Sequence, residues 1–343
     1  MEKRSNIFKI YMLEYFKDKI NLFSKKEIEK IFSSISYKNS KINVKEVIFL
    51  EENFIKITIE SPTNNTNKQT TFFLEIWKNK YNRFFYIYTF NNFDFIEKIV
   101  KKIIKEQVFI DSFWFSDTLL KELIKSNKYW KLIWYKVKQA SKIIKKKLSW
   151  LWNKYIFEQK MYNDFINNSI LLSINMKEKE TGIDYILTNN WKLIIKNVKN
   201  IQDISKIKNQ LSDFYLKKLK EVEKYNIILK LEHNNLINLK AKWPIVIKIS
   251  NFDKNNNNFL NKDWLNKLTS LKWNYKTFWY YSYLTNNSVI INLVDYYTWQ
   301  DFHIIAHKDK LEIYFQKKYF WNIFYRLITN IELDFNKKVI YDL

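Results

Sequence analysis

In the first 40 residues the hydrophobic positions recur at helical intervals. Phe8, Tyr11, Met12, Tyr15 and Phe16 mark one face, and Ile28, Ile31, Phe32 and Ile35 mark a second. Ser24, with Glu27 three residues on, is a capping-box signature for the start of the second helix. From Val44 to Phe90 the period drops to two. Four apolar or alternating runs (VIFLEE, NFIKITIE, TFFLEIW and FFYIYTF) predict a four-stranded antiparallel meander, with a polar tip over 62–69 as an exposed loop. Helical spacing returns at Phe93 and holds, with breaks, to about Asn167. Beyond it the pattern predicts strands over 170–175, 183–188 and 191–195, an amphipathic helix over 203–225, and strands over 227–232, 237–240 and 245–249. A low-complexity loop over 255–258, a helix over 263–271, hairpins over 277–294 and 302–316, and a terminal helix over 319–331 complete the chain.

These elements give an α+β class, with antiparallel β meanders packed against amphipathic helices. The expected division is an N-terminal α+β domain over 1–126, a long basic helical connector over 127–167, and a C-terminal α+β domain over 168–343. No repeat of fixed period is visible. The uncharged stretch 277–294 has the length of a short membrane span. Its centre is Thr-Asn-Asn-Ser between β-branched and aromatic halves, so it reads as a hairpin, and no membrane insertion is expected.

Charge changes the picture most in the connector. No acid occurs between Glu122 and Glu158, and ten lysines lie in that interval. On a helical wheel Trp130, Trp134, Val137, Ser141, Ile144, Leu148, Leu151 and Tyr155 form one stripe. Lys131, Lys138, Lys142 and Lys145 fall on one flank, and Lys136, Lys147 and Lys154 on the other; Lys128 and Lys146 complete the set. Lysines without acids at i±4 repel one another unless an anion neutralises them. The whole chain shares the imbalance, with 59 Lys and Arg against 35 Asp and Glu, a formal net charge of +24. Surface ion pairs are worth about 1 kcal/mol or less each, so internal pairing cannot offset 24 unmatched charges. The nine named lysines are therefore the candidate RNA-binding residues, acting on phosphates. Smaller basic runs at Lys101, Lys102 and Lys105, and at Lys217, Lys218 and Lys220, extend the footprint.

Composition excludes much chemistry. There is no cysteine, so disulfides, thiolate metal sites and cysteine nucleophiles are absent. A single glycine, Gly182, rules out glycine-rich phosphate loops and serine nucleophile elbows. His303 and His307, flanked by Asp301 and Asp309, have a metal-pair spacing for a helix, but the local alternation favours a strand carrying two ordinary histidines. No catalytic residue, metal or cofactor is expected.

Fifty-six lysines stand beside three arginines (Arg4, Arg83, Arg326), and alanine occurs only at 140, 241 and 306. This depletion of GC-rich codons implies an extremely AT-rich gene, and 13 tryptophans fit a code that also reads UGA as tryptophan. On these features the chain resembles the lysine-, asparagine- and aromatic-rich proteins of protist, especially ciliate, mitochondrial genomes, many of them ribosomal. The resemblance implies a mitochondrial matrix protein of the ribosome, bound to rRNA and to neighbouring ribosomal proteins within a large ribonucleoprotein. The first 20 residues, without a secretory apolar core and with acids that transit peptides avoid, agree with synthesis inside the working compartment. Two further classes fit the same composition: a nucleic-acid-processing or replication protein of a mollicute or AT-rich mobile element, and a soluble peripheral subunit of a mitochondrial membrane complex.

Overall fold

A computed structural model describes residues 7–16, 20–37, 40–62, 67–77, 83–90, 94–126, 130–139, 142–147, 169–178, 182–198, 200–224, 228–231, 237–240, 244–249, 259–260, 262–269, 277–296, 300–315, 322–335 and 339–341. Helices and antiparallel sheets are mixed along the chain, as the α+β class requires. The chain forms two units interleaved in sequence: Met1–Phe113, Tyr129–Lys131 and Asn175–Ser212 in the first, and Trp114–Lys128, Leu132–Ile174 and Asp213–Leu343 in the second.

Within the first unit, strand Phe8–Tyr15 is followed by helix Lys25–Ser33 and by the meander Asn43–Glu51, Phe54–Pro62, Asn67–Ile76 and Phe84–Thr89. Helix Asp94–Glu106 and the short strand Ile110–Ser112 close the motif. The fourth meander strand pairs antiparallel with Phe8–Tyr15, and the closing strand pairs with the far end of that same strand. The apolar faces of both helices (Ile28, Ile31 and Phe32; Ile96, Ile99, Val100 and Ile103) pack on one face of the sheet through Ile55, Ile57, Phe72, Leu74, Phe85 and Ile87. Burying this apolar surface, at roughly 25 cal/mol per Å², is the main stabilising term.

Phe8–Tyr15 is a strand, where the spacing of its aromatics predicts a helix. Ile10 to Tyr15 are all buried, because the strand is central and covered on both faces. A strand buried on both sides loses its alternation and reads as a continuous apolar run, which periodicity cannot separate from a helix. The next helix begins as expected at Lys25, but Ser24 is extended and its side chain makes no capping bond. The polar tip is shorter than expected, since pairing continues out to Pro62 and Asn67.

The second unit repeats the first. Strand Ile245–Ile249 is followed by helix Lys262–Thr269, then by a meander of Thr277–Thr285, Ser288–Asp295, Gln300–Ala306 and Lys310–Phe315, then by helix Ile323–Phe335 and short strand Val339–Tyr341. Again the fourth meander strand and the closing strand flank the first strand, antiparallel on either side. The registers superimpose. Leu13 faces Phe85 and Ser112 in one unit; Ile247 faces Leu311 and Tyr341 in the other. Continuing outward, Ile87, Leu74 and Ile55 form a cross-strand row that Ile313, Ile304 and Ile291 reproduce. A duplicated β-α-β4-α-β motif is therefore present although no sequence period betrays it.

The single glycine is spent where it is needed. Gly182 has φ +75° in the turn after strand Ile170–Glu178, and its N–H donates to the Glu178 carbonyl at 3.2 Å. Among the described residues no helix is long and apolar enough to cross a membrane.

Candidate nucleic-acid interface

The basic segment is extended. Trp130–Gln139 and Lys142–Lys147 are strands of an antiparallel hairpin, so the long central helix expected over 127–167 is not what the described part forms. Ile133, Trp134, Tyr135, Val137, Ile143 and Ile144 explain the difference: β-branched and aromatic side chains suit a pleated surface, and a helix here would have no acidic partner for any of its lysines. Apolar positions spaced by four satisfy a helical stripe and one strand face alike, which is how the pattern misleads.

Strand alternation sorts the hairpin into two faces. Tyr135 and Val137 are buried, while Lys136 between them is exposed and Ile143 is 58% exposed. Register places Lys145 directly opposite Lys136, Ile143 opposite Lys138, and Lys147 opposite Trp134. By register, positions 134, 136, 138, 143, 145 and 147 share one side of the hairpin, the side on which Lys136 and Ile143 are exposed. Lys142 and Lys146 are register partners of Gln139 and Tyr135, on the opposite side. Lys142–Lys147 ends its sheet, next to Trp130–Gln139.

The candidate lysines therefore part company. Lys136 is exposed. Lys138 is half-buried and its ammonium donates to the Leu333 carbonyl at 2.5 Å, where a cation meets the negative end of helix Ile323–Phe335. Lys131 lies within the first strand; Lys128 and Lys154 lie outside the described residues. Three lysines of the accessory runs have partners within the fold: Lys101 pairs with Glu97 at 3.0 Å, Lys102 donates to the Ser36 carbonyl, and Lys218 pairs with Glu122 and Glu221 at 2.6 and 2.8 Å, while Lys217 and Lys220 are exposed. Burial alone would lower the Lys218 pKa, but the hydrogen bonds its ammonium donates to these two carboxylates outweigh that and raise it.

His303 and His307 lie on the strand Gln300–Ala306 and just past its end. His303 Nδ1 bonds Asn292 Oδ1 at 2.6 Å, and burial lowers its pKa against the opposing pull of Asp301. His307 Nε2 lies 3.5 Å from Glu312. Burial alone would raise the Glu312 carboxyl, but hydrogen bonds from Lys310 and Tyr314 hold it below its usual range. Among the described residues no group of three acidic or histidine side chains is arranged to hold a metal.

A cluster that the sequence did not announce sits in the second unit. Asp117, on helix Asp117–Ser126, accepts the Leu171 N–H at 2.9 Å and pairs with Lys121; its own N–H donates to Glu332 at 3.0 Å. Burial, helped by the Asp117 carboxylate, raises Glu332 well above the carboxylate range. These groups bond one another away from solvent, which suits a structural network rather than a binding site.

The family model for MJECL33-like proteins matches residues 1–340. The chain belongs to the MJECL33-like family. No curated protein matches it. The matched residues span both repeats and the basic hairpin.

Proposed function

We propose that this MJECL33-like protein binds RNA through its phosphates, and that the solvent face of the hairpin Trp130–Lys147 is a principal contact. One observation carries the reading: Lys145 stands directly across from Lys136 in an interval of ten lysines and no acid. Like charges directly opposite on an antiparallel pair are destabilising, and a phosphate between them reverses the sign. Trp134 and Ile143 on the same face give an apolar surface for unpaired bases, a common mode of RNA recognition. The unmatched charge of this interval is the same in a hairpin as in a helix.

The finer reading is a resident component of a ribonucleoprotein, with the mitochondrial ribosome as the assembly that composition favours. Co-sedimentation with ribosomal particles, abolished by ribonuclease, supports that assignment; a chain that sediments away from all particles removes it.

The test of the binding surface is salt dependence. Each phosphate contact contributes about 0.7 to the slope of log affinity against log salt for a single strand. Lys136→Gln with Lys145→Gln is expected to lower the slope by roughly 1.4. An unchanged slope takes the hairpin out of the interface.

A further inference from the structure

The strand Thr277–Thr285 is the outer strand of the second unit's sheet, and among the described residues its free edge has no partner strand. Unpaired N–H and C=O groups on an edge are a template for another strand, and proteins normally blunt them with lysine, proline or brevity. The other described edges follow that rule. Asn43–Glu51 carries Lys45, Glu46 and Glu51, and Lys142–Lys147 carries four lysines. The remaining ones are four residues or fewer. Thr277–Thr285 is nine residues long, holds neither a charge nor a proline, and belongs to the longest uncharged stretch of the chain. Tyr280 is 57% exposed, Tyr283 61% and Leu284 52%.

We infer that this edge is where a second copy of the chain docks, the two strands pairing antiparallel about a two-fold axis at Tyr281. The sequence TFWYYSYLT is self-complementary about that residue. A two-fold interface presents one patch to itself, so Tyr281 meets Tyr281, Tyr280 meets Ser282, and Trp279 meets Tyr283. Aromatic pairs of this kind stabilise antiparallel ladders. All five residues lie before the register irregularity between Tyr283 and Thr285. The occupant follows from charge: two chains of +24 repel, and this is the long described edge on which they meet without opposing lysines.

The absence of cysteine makes the register directly testable in the full chain. In the paired dimer, residues at the axis have Cα atoms about 4.5–5.5 Å apart, within the range a disulfide spans, whereas a residue one step off the axis sits beyond the ~7 Å Cα limit from its own copy. Tyr281→Cys is expected to cross-link under mild oxidation about tenfold faster than Ser282→Cys, in keeping with that geometry. Tyr281→Lys, which sets two ammonium groups face to face, should weaken the dimer about tenfold, or ~1.4 kcal/mol. Sedimentation velocity of the unmodified chain should show a dimer that strengthens with salt, as screening relieves repulsion. RNA binding weakens with salt, so failure of one reading does not mimic failure of the other. A monomer at every concentration and salt, or equal cross-linking at both positions, overturns the proposal.

Discussion

The two β-α-β4-α-β motifs share a backbone plan and differ in what they do with its outer surface. In the first unit, Lys208 of helix Ile201–Glu223 lies on the outer side of the meander. Its ammonium bonds both Glu75 oxygens at 2.6 and 2.7 Å and sits 4.5 Å from the Trp77 ring and 4.8 Å from the Tyr86 ring. Burial lowers the Lys208 pKa and Glu75 opposes that shift. By register, Glu75, Trp77 and Tyr86 correspond to Ile305, His307 and Glu312 of the second unit. There the carboxylate takes its cation from Lys310, two residues away on its own strand. The edges diverge in the same manner, charged in Asn43–Glu51 and uncharged in Thr277–Thr285. The inward rows define the fold, and the outward rows are free to acquire separate uses.

The largest effect expected from this comparison comes from the shared core. Ile87 and Ile313 occupy equivalent buried positions, 0% and 1% exposed. Ile87→Ala and Ile313→Ala should each cost about 2–5 kcal/mol, as buried isoleucine truncations do. Urea denaturation measures both. A cost well under 1 kcal/mol at either position would break the equivalence of the repeats.

A smaller, pH-dependent effect separates the units. Glu332 belongs to the second motif and its carboxyl is held far above the ordinary range by burial and by Asp117. Folding therefore favours its protonated form. The stability it contributes is fully present below the unfolded pKa and is lost as pH rises towards the folded one. Glu332→Gln, which keeps the group neutral, should flatten the decline in denaturation midpoint between acid and neutral pH. A variant that declines as steeply as the parent would show that Glu332 is ionised in the fold.

Much of this architecture was legible from residues. The meander from Val44 to Phe90 and the hairpins near 277–294 and 302–316 follow from alternation, because each of those sheets has one well-covered face. Strand Phe8–Tyr15 was hidden because both its faces are buried. The basic hairpin was hidden because Trp130, Trp134, Val137 and Ile144 satisfy a helical stripe. The duplication was hidden because only inward positions preserve their character: Leu74 matches Ile304 and Ile87 matches Ile313, while outward Phe73 and Lys56 become His303 and Asn292. Of the candidate site, the lysines themselves were legible as a group. Their division between Lys136, open to solvent, and Lys138, tied to the Leu333 carbonyl, depends on a contact 195 residues away in sequence that no local pattern encodes.

The central claim is that the like charges of the register partners Lys136 and Lys145 are relieved by a polyanion. The melting-temperature shift that RNA produces at low salt tests it most directly, since a ligand bound to the native state stabilises in proportion to its affinity. The unmodified chain should gain markedly from RNA. The Lys136→Gln, Lys145→Gln chain should melt slightly higher when free, by a few tenths of a kcal/mol of relieved repulsion, and gain less from RNA. Equal gains for the two proteins, with no difference when free, would contradict the account.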